Sequence, residues 1–248
     1  MPKFFIRAED VQNGTVCLTG ENAEHARVLR LQTGDGLTVC DGLGTDYLCT
    51  VQSSTPSSVL LSVQERRRCA AEPSVFCSVY MAFPKADKLE HVIQKATELG
   101  ACEIVAFPSS RCVSRPDEKS LSKKLARWQK IAASAAEQSG RGRIAQVLVL
   151  PDFESAIRRA AQAELALFPY ENETACSLRA AVGSRVPASV SIVTGPEGGF
   201  SPEEVLLAQQ YNMKICSLGP RILRCETAPL CTLSAVLFAA GALDRAIV

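Results

Sequence analysis

Apolar and polar positions divide the chain into an amino-terminal part rich in short strands and a longer part in which strands alternate with helices. Up to about residue 70, short apolar runs are separated by turn sequences such as Asn13-Gly14 and Asp41-Gly42. A helix, Glu21–Leu31, interrupts these runs, and the strands expected are Lys3–Ile6, Thr15–Leu18, Leu37–Cys40, Tyr47–Gln52 and Val59–Gln64. Short strands at this spacing predict a small β-barrel.

From Ser74 onward the pattern is that of an α/β domain. Strands are expected at Val75–Ala82, Glu103–Phe107, Gln146–Leu150, Leu165–Phe168, Val190–Thr194 and Ile215–Leu218. The helices expected between and after them are Lys85–Leu99, Ser120–Ser139 and Thr227–Ala246. This alternation predicts a parallel sheet covered by helices on both faces. Arg66–Arg68, followed by Glu72-Pro73, indicates a linker, so the predicted domains are residues 1–72 and 73–248.

The composition is that of a globular protein and gives no global signal for a charged partner. Of 248 residues, 47% are hydrophobic and the formal net charge is +1, which argues against a disordered chain. No apolar run is long enough to cross a membrane, and the short charged start does not resemble a signal peptide. We therefore expect a cytoplasmic protein. The 11 cysteines form no C-x-x-C pair and only two histidines are present, so buried thiols are expected and no metal site.

The sharpest local motif is a glycine-rich loop between a buried strand and a helix. Gly195–Gly199 follows the strand, and Ser201, Pro202 and Glu204 have the spacing of a helix N-cap with a capping box. Loops at the carboxyl ends of parallel strands are where α/β sheets bind ligands. The loop lacks both phosphate-binding fingerprints, and its acidic residues would repel a phosphate. A cationic ligand such as S-adenosylmethionine suits it better, although a plain strand-to-helix turn is the alternative.

A second loop, Leu218–Leu230, also leads from a strand into a helix. It places Arg221, Arg224 and Glu226 among apolar residues, after a Gly-Pro turn. Such charges next to a buried helix indicate a functional role, and a surface loop with a salt bridge is the alternative.

A third feature is a basic stretch from Arg111 to Arg143, with nine basic and three acidic residues. Lys123, Lys124, Arg127 and Lys130 lie three or four residues apart on the helix face opposite Leu125 and Trp128. An excess of positive charge of this kind favours an anionic partner, most commonly RNA, over a merely solvated helix face.

Together these motifs resemble the bacterial 16S rRNA (uracil-1498-N3)-methyltransferase family of the SPOUT, or α/β-knot, superfamily. The motifs with the closest resemblance are Gly195–Phe200 and Leu218–Ala228. Supporting matches, in order along the chain, are His25–Leu31 with Gly34-Asp35, Lys85–Gly100, Ser110–Val113, and Arg127-Trp128 through Gln138–Arg141. The resemblance implies a trefoil-knotted methyltransferase domain behind a PUA-like barrel, a homodimer, S-adenosyl-L-methionine as cofactor, and 16S rRNA in the 30S subunit as substrate.

Carried over motif by motif, the resemblance assigns candidate site residues. Backbone groups of Leu218, Ile222 and Leu223 would hold the adenine, and Phe168–Glu171 would form the first wall of the pocket. The cofactor-binding candidates are Phe168, Tyr170, Thr194, Gly195, Pro196, Glu197, Gly198, Gly199, Leu218, Gly219, Ile222 and Leu223. The RNA-binding candidates are Arg27, Arg30, Lys123, Lys124, Arg127, Arg141 and Arg143. Cys225 and Pro229 depart from the expected pattern, and neither is given a side-chain role.

The chemistry of uridine N3 defines the catalytic candidates. This nitrogen carries a proton, so the reaction needs a base or a positive group that stabilises the uridine anion. Arg224 and Arg111 are the candidates for anion stabilisation, and Glu226 is either a base or a residue that orients an arginine. Two other functions remain open: a non-catalytic RNA-binding protein of the same fold, and a nucleotide-dependent metabolic α/β enzyme. The missing phosphate fingerprints and the basic stretch argue against the metabolic enzyme.

Overall fold

The computed structural model describes residues 3–244, without the side chain of Glu118, and divides them between two compact units. The first unit comprises Met1–Glu72 with Ala136–Ile144, and the second comprises Pro73–Ala135 with Ala145–Val248. The predicted boundary between residues 72 and 73 coincides with the division. The assignment of residues 136–144 to the second domain does not, because this segment is in contact with the barrel strands. Met1, Pro2 and residues 245–248 of the predicted domains lie outside the described residues.

The first unit is built on a five-stranded mixed sheet in the order β1-β3-β4-β5-β2. The strands are β1 Lys3–Phe5, β2 Thr15–Thr19, β3 Gly36–Cys40, β4 Thr45–Ser54 and β5 Ser58–Arg68, with helix α1 at Gly20–Val28. Strand β1 runs parallel to β3 and the other pairs are antiparallel. Side chains from these strands, such as Val16, Leu37, Val51 and Leu61, fill one apolar core.

Segment 136–144 is held in the first unit by backbone and carboxylate hydrogen bonds. The Gly44 amide donates to the Gly142 carbonyl at 2.8 Å, and the Gly142 amide donates to Oε1 of Glu72 at 2.9 Å. Gly142 lies so close to Cys69 that a side chain at position 142 would collide with it. This packing explains why a linear division of the chain misplaced the segment.

The second unit is a six-stranded, fully parallel sheet in the order β11-β9-β10-β6-β7-β8. The strands are β6 Phe76–Ala82, β7 Glu103–Phe107, β8 Gln146–Val149, β9 Leu165–Pro169, β10 Ser189–Thr194 and β11 Lys214–Cys216. The helices are α2 Lys88–Leu99, α3 Glu118–Gln138, α4 Phe153–Ala160, α5 Leu178–Val182, α6 Pro202–Gln210 and α7 Thr227–Ala239. The predicted parallel α/β sheet is therefore confirmed, whereas the knot implied by the resemblance stays a prediction.

Helices cover both faces of this sheet. One apolar cluster joins Tyr80, Val105, Phe168 and Val193 to residues of α4 and α6. Helices α2 and α7 pack against each other and α7 packs on β6 and β10, but neither helix contributes to that cluster. Because side chains alternate along a strand, the opposite set of strand residues faces α2 and α7.

Several predicted boundaries were wrong for identifiable reasons. Arg66–Arg68 continue β5 and do not form a linker, and α4 and α5 were not predicted. Helix α1 ends at Val28, three residues early, since Arg30 has a positive φ of 55°. Helix α7 ends at Ala239, before Gly241 with φ 66°, and Ala246 of the predicted helix lies outside the described residues.

Candidate active site

A cavity of about 890 Å³ lies where three loops leave adjacent parallel strands. The loops follow β9, β10 and β11, which are neighbours in the sheet, so their carboxyl ends meet at one edge. Of the predicted cofactor-binding residues, those that line the cavity are Tyr170, Thr194, Gly195, Pro196, Glu197, Gly198, Gly199, Leu218, Gly219, Ile222 and Leu223. The sheet thus brings together loops that begin after Pro169, Thr194 and Cys216 along the chain.

The glycine-rich loop after β10 is shaped by close backbone approaches. A Cβ atom at Gly195 would lie 3.1 Å from the carbonyl carbon of Gly199, and one at Gly199 would lie 2.5 Å from Oε1 of Glu171. Gly199 also has a positive φ of 64°, which disfavours any side chain. These two glycines therefore permit the close packing of the loop on itself and against Glu171.

The start of α6 fixes the end of this loop. The Ser201 hydroxyl accepts from the Glu204 amide at 3.3 Å, and Oε2 of Glu204 accepts from the Ser201 amide at 2.8 Å. The predicted capping box is therefore confirmed, with Pro202 at its first position. Oε1 of the buried Glu204 also accepts from the amide of Ser110 at 2.8 Å, which ties the loop after β7 to the same helix end.

Phe168 occupies a different place from the one predicted. It is fully buried, and its ring lies 4.5 Å from that of Phe200, centre to centre, among the core residues beneath the loops. It therefore supports the cavity from below and does not line it. The residues that follow it, Pro169, Tyr170 and Glu171, line the cavity.

Arg111 and Glu226, two of the three catalytic candidates, do not line the cavity. Nη1 of Arg111 donates to the carbonyl of Gly198 at 2.9 Å, and a Cβ atom at Gly198 would meet Arg111 at 3.2 Å. Arg111 therefore packs against the outside of the glycine-rich loop. This contact supports the loop, and the role of Arg111 as an anion-stabilising group for the substrate stays a prediction.

Glu226 is held by neighbouring groups of the protein. Partial burial alone would raise the pKa of Glu226, but hydrogen bonds from its own backbone amide, Cys225 and Lys88 outweigh burial and lower the pKa. A carboxylate with a lowered pKa is a weaker proton acceptor at neutral pH. The structure thus favours the alternative of an orienting residue over that of a general base.

The third catalytic candidate, Arg224, does line the cavity and is exposed to it. Within residues 3–244, the side chains of Arg224, Arg221 and Glu171 make no hydrogen bond or ion pair. By contrast, Glu197 is paired with Lys88, and the carboxylate of Glu173 accepts from the Ala175 and Cys176 amides. The cavity therefore presents one unpaired carboxylate and two unpaired guanidinium groups.

The predicted RNA-binding residues are distributed over both units and differ in exposure. In the second unit, Lys123, Lys124 and Arg127 are exposed on α3 while Trp128 on its other face is buried. Arg127 is also paired with Glu90 at 2.7 Å. In the first unit, Arg27 and Arg30 are exposed and Arg143 is half-buried.

Arg141 does not have the exposure that its predicted contact with RNA requires. Its side chain is 2% exposed, and Nη2 lies 2.7 Å from Oε2 of Glu72, whose side chain is 7% exposed. The buried ion pair belongs to the interior of the first unit, so Arg141 acts in folding and not on a surface.

Sequence reasoning did not single out Lys88, although it lines the cavity. Its partners Glu197 and Glu226 are more than 100 residues away along the chain, so no local pattern could have indicated the contact. Throughout residues 3–244 no group of three or more histidine, cysteine or acidic side chains is placed to hold a metal. The helices in that range are too short or too polar to cross a bilayer.

The architecture suits S-adenosylmethionine on grounds independent of the motifs. The volume is within the range of small-molecule sites, and the unpaired carboxylate of Glu171 suits a cationic ligand.

Comparison with known proteins identifies the family. Residues 71–237 match an RNA methyltransferase domain, and residues 18–64 match an RNA methyltransferase PUA domain. The ribosomal RNA small subunit methyltransferase E of Bacillus subtilis is 36% identical over 247 residues, which cover 96% of each chain. Two solved structures have the same architecture. One is a ribosomal RNA small subunit methyltransferase E from Neisseria gonorrhoeae bound to S-adenosyl methionine, with 29% identity and a TM-score of 0.82. The other is a putative methyltransferase from Legionella pneumophila with the same bound cofactor, with 27% identity and a TM-score of 0.80. Each covers 96% of this chain and 97% of the other. With an RNA methyltransferase PUA domain followed by an RNA methyltransferase domain, the chain belongs to the RNA methyltransferase family of these ribosomal RNA small subunit methyltransferases.

Proposed function

We propose that the protein transfers a methyl group from S-adenosyl-L-methionine to N3 of a uridine in 16S rRNA of the small ribosomal subunit. The assignment to position 1498 comes from the family resemblance. The observation that supports the proposal is the cavity at the carboxyl edge of β9, β10 and β11, which is lined by the glycine-rich loop together with Glu171 and Arg224. The bound cofactor supplies an electrophilic methyl group on a sulfonium.

The unpaired charges around the cavity suit two ligands of opposite charge, the cofactor and the RNA. Glu171 faces a cationic cofactor, because an unpaired carboxylate beside a site attracts positive charge. Arg221 and Arg224 suit an RNA nucleotide, whose backbone is anionic and whose base becomes anionic when N3 loses its proton. The arrangement therefore accommodates a cation and an anion side by side.

Arg224 is the residue proposed to promote the reaction. A fixed guanidinium beside the target base stabilises the uridine anion as it forms, and such a contact is stronger in the transition state than in the ground state. Glu173 and Glu197 in the cavity, and Glu226 beside it, are poor candidates for a strong base, since their pKa values are lowered. Anion stabilisation by Arg224 thus accounts for the chemistry better than proton abstraction by one of these three glutamates.

The remaining parts of the proposal concern partners and location. The exposed lysines on α3 and the exposed Arg27 and Arg30 of the first unit are proposed to contact the phosphates of the RNA. We further propose that the enzyme acts as a homodimer in the cytoplasm, without a metal.

The test is methylation of unmodified 30S subunits with S-adenosyl-L-methionine carrying a tritiated methyl group, followed by nucleoside analysis of the 16S rRNA. The expected product is 3-methyluridine at one position. Cofactor and RNA binding without any methyl transfer would instead support the non-catalytic RNA-binding protein.

A further inference from the structure

A single ammonium group connects three segments around the cavity. Nζ of Lys88, at the start of α2, lies 2.9 Å from Oε1 of Glu197 and 3.3 Å from Oε2 of Glu226. Glu197 belongs to the loop after β10, and Glu226 is the N-cap of α7, directly after the loop that follows β11. The contacts join both cavity loops to the same helix.

A second contact reinforces the connection between α2 and the glycine-rich loop. Both carboxylate oxygens of Glu197 accept from the backbone amide of Lys85, at 3.1 and 3.3 Å. Glu197 is therefore held by a side chain and by a backbone group, while Lys88 provides the contact to Glu226. Removing Lys88 leaves the contact between Lys85 and Glu197 in place. It breaks the connection between Glu197 and Glu226, and so between the two loops.

The three charged side chains are only partly exposed, at 26% for Lys88, 28% for Glu197 and 23% for Glu226. The hydrogen bond to Glu197 raises the pKa of Lys88 above its ordinary value. Although burial alone would raise the pKa of Glu197, hydrogen bonds from Lys88 and backbone amides lower it. All three groups are consequently charged at neutral pH, and without Lys88 two carboxylates would face each other.

We propose that Lys88 is a positioning residue for methyl transfer, which fixes the two cavity loops relative to each other by joining Glu197 to Glu226. The inference rests on the proposed function and deepens it. Arg224 lies two residues before Glu226, so the position of its guanidinium depends on the anchoring of Glu226. Lys88 acts on the reaction through these loops, without itself contacting the reacting atoms.

The same helix offers a matched control. Nζ of Lys95 lies 2.8 Å from Oε1 of Glu98 in an i, i+3 pair within α2, and neither residue lines the cavity. Lys95→Met therefore removes one lysine and one ion pair from the same helix without changing any contact between loops. Such a local surface pair contributes little to stability.

The experiment compares Lys88→Met, Lys88→Arg and Lys95→Met in the full-length protein. The measurements are the affinity for S-adenosyl-L-methionine by calorimetry, the single-turnover methylation rate of 30S subunits at saturation, and the thermal unfolding midpoint. We expect Lys88→Met to slow the saturated rate by about tenfold to a hundredfold, because small misplacements of reacting groups have effects of this size. Its unfolding midpoint should stay close to that of Lys95→Met, and Lys88→Arg should recover part of the rate.

A double-mutant cycle separates positioning from direct catalysis by Glu226. If Glu226 acts through Lys88, Glu226→Gln slows the wild type but adds little to the defect of Lys88→Met. A further large loss in the double variant would overturn the inference, because Glu226 would then act on the substrate independently. If Lys88→Met does not fold, Glu226→Gln breaks the same bridge from its other side, and a wild-type rate in that variant would overturn the inference.

The outcomes also separate this inference from the proposed function. A wild-type protein that methylates 30S subunits, with Lys88→Met equal to Lys95→Met in rate and cofactor affinity, would overturn the role of Lys88 alone. A wild type that transfers no methyl group would overturn the proposed function. In that case the cofactor affinities of the two lysine variants still decide whether the bridge shapes the cavity.

Discussion

The carboxylate of Glu171 lies directly over the backbone of Gly199, so that a Cβ atom at position 199 would come within 2.5 Å of Oε1. The two residues belong to the loops after β9 and β10, and both line the cavity. Gly199 thus provides both an unusual backbone conformation and the space that the carboxylate occupies.

Gly199→Ala should weaken binding of S-adenosyl-L-methionine by about tenfold or more, because the added methyl group displaces Glu171 and strains a backbone with positive φ. Calorimetry on the folded variant measures this. The control is Gly183→Ala, since Gly183 also has a positive φ, of 74°, but no atom within 4 Å of the added Cβ. If the two variants bind the cofactor with equal affinity, the contact between residue 199 and Glu171 does not contribute to cofactor binding.

Glu171→Gln should reduce the preference for the cationic cofactor over S-adenosylhomocysteine, whose sulfur is neutral. The substitution keeps the shape of the side chain and removes its charge, so the affinity for the sulfonium form should fall by several-fold, the size expected of one partly screened charge. The ratio of the two dissociation constants is the relevant measurement. Glu98→Gln on α2 is the control, and an unchanged ratio in Glu171→Gln would show that the carboxylate does not contribute to cofactor recognition.

Arg224→Ala should lower the single-turnover methylation rate by about 10²–10³-fold, the usual effect of losing one preorganised contact to a developing anion. Cofactor and RNA affinities should change far less. Arg224→Lys should recover only part of the rate, since lysine keeps the charge but not the planar group. Arg179→Ala, on the exposed surface of α5, is the control. A rate within a few-fold of the wild type would exclude Arg224 from the reaction.

Reversing the charge of Lys123, Lys124 and Lys130 to glutamate should weaken RNA binding and reduce its dependence on salt, because fewer counterions are released. Arg127, the third RNA-binding candidate on α3, is left unchanged because it is already paired with Glu90, and Lys130 is reversed instead. Binding is measured by titration at several salt concentrations. The control reverses three exposed basic residues elsewhere in the second unit, Arg179, Arg185 and Lys214. Equal losses in both triple variants would indicate a general charge effect and no specific RNA surface on α3.

Arg141→Ala should destabilise the protein by about 3–5 kcal/mol, because Glu72 is left buried without its partner. Urea unfolding measures this, with Arg158→Ala as the comparison. Arg158 is 61% exposed in an i, i+4 pair with Glu154, and its loss should cost less than about 1 kcal/mol. A normally stable Arg141→Ala variant with impaired RNA binding would restore the role that the sequence suggested.

The sequence by itself determined the elements and their order. Short apolar runs predicted the strands of both units, and the 3.6-residue period predicted α2 and α3. The capping box of α6 could be found because Ser201 and Glu204 interact across a single turn. Helix α4 was missed even though Asp152 caps it through the Ser155 amide, since its eight residues make too short a period to recognise.

Only the tertiary structure decided which charged residues are available to a ligand. From the sequence, Arg141, Arg111 and Arg224 are alike. In the structure, Arg141 is buried against Glu72, Arg111 donates to the Gly198 carbonyl, and Arg224 lines the cavity. Lys88 likewise gained its position from Glu197 and Glu226, more than 100 residues away. The physical reason is that secondary structure depends on interactions between near neighbours, whereas the partner and burial of a charge depend on which distant segments the sheet brings together.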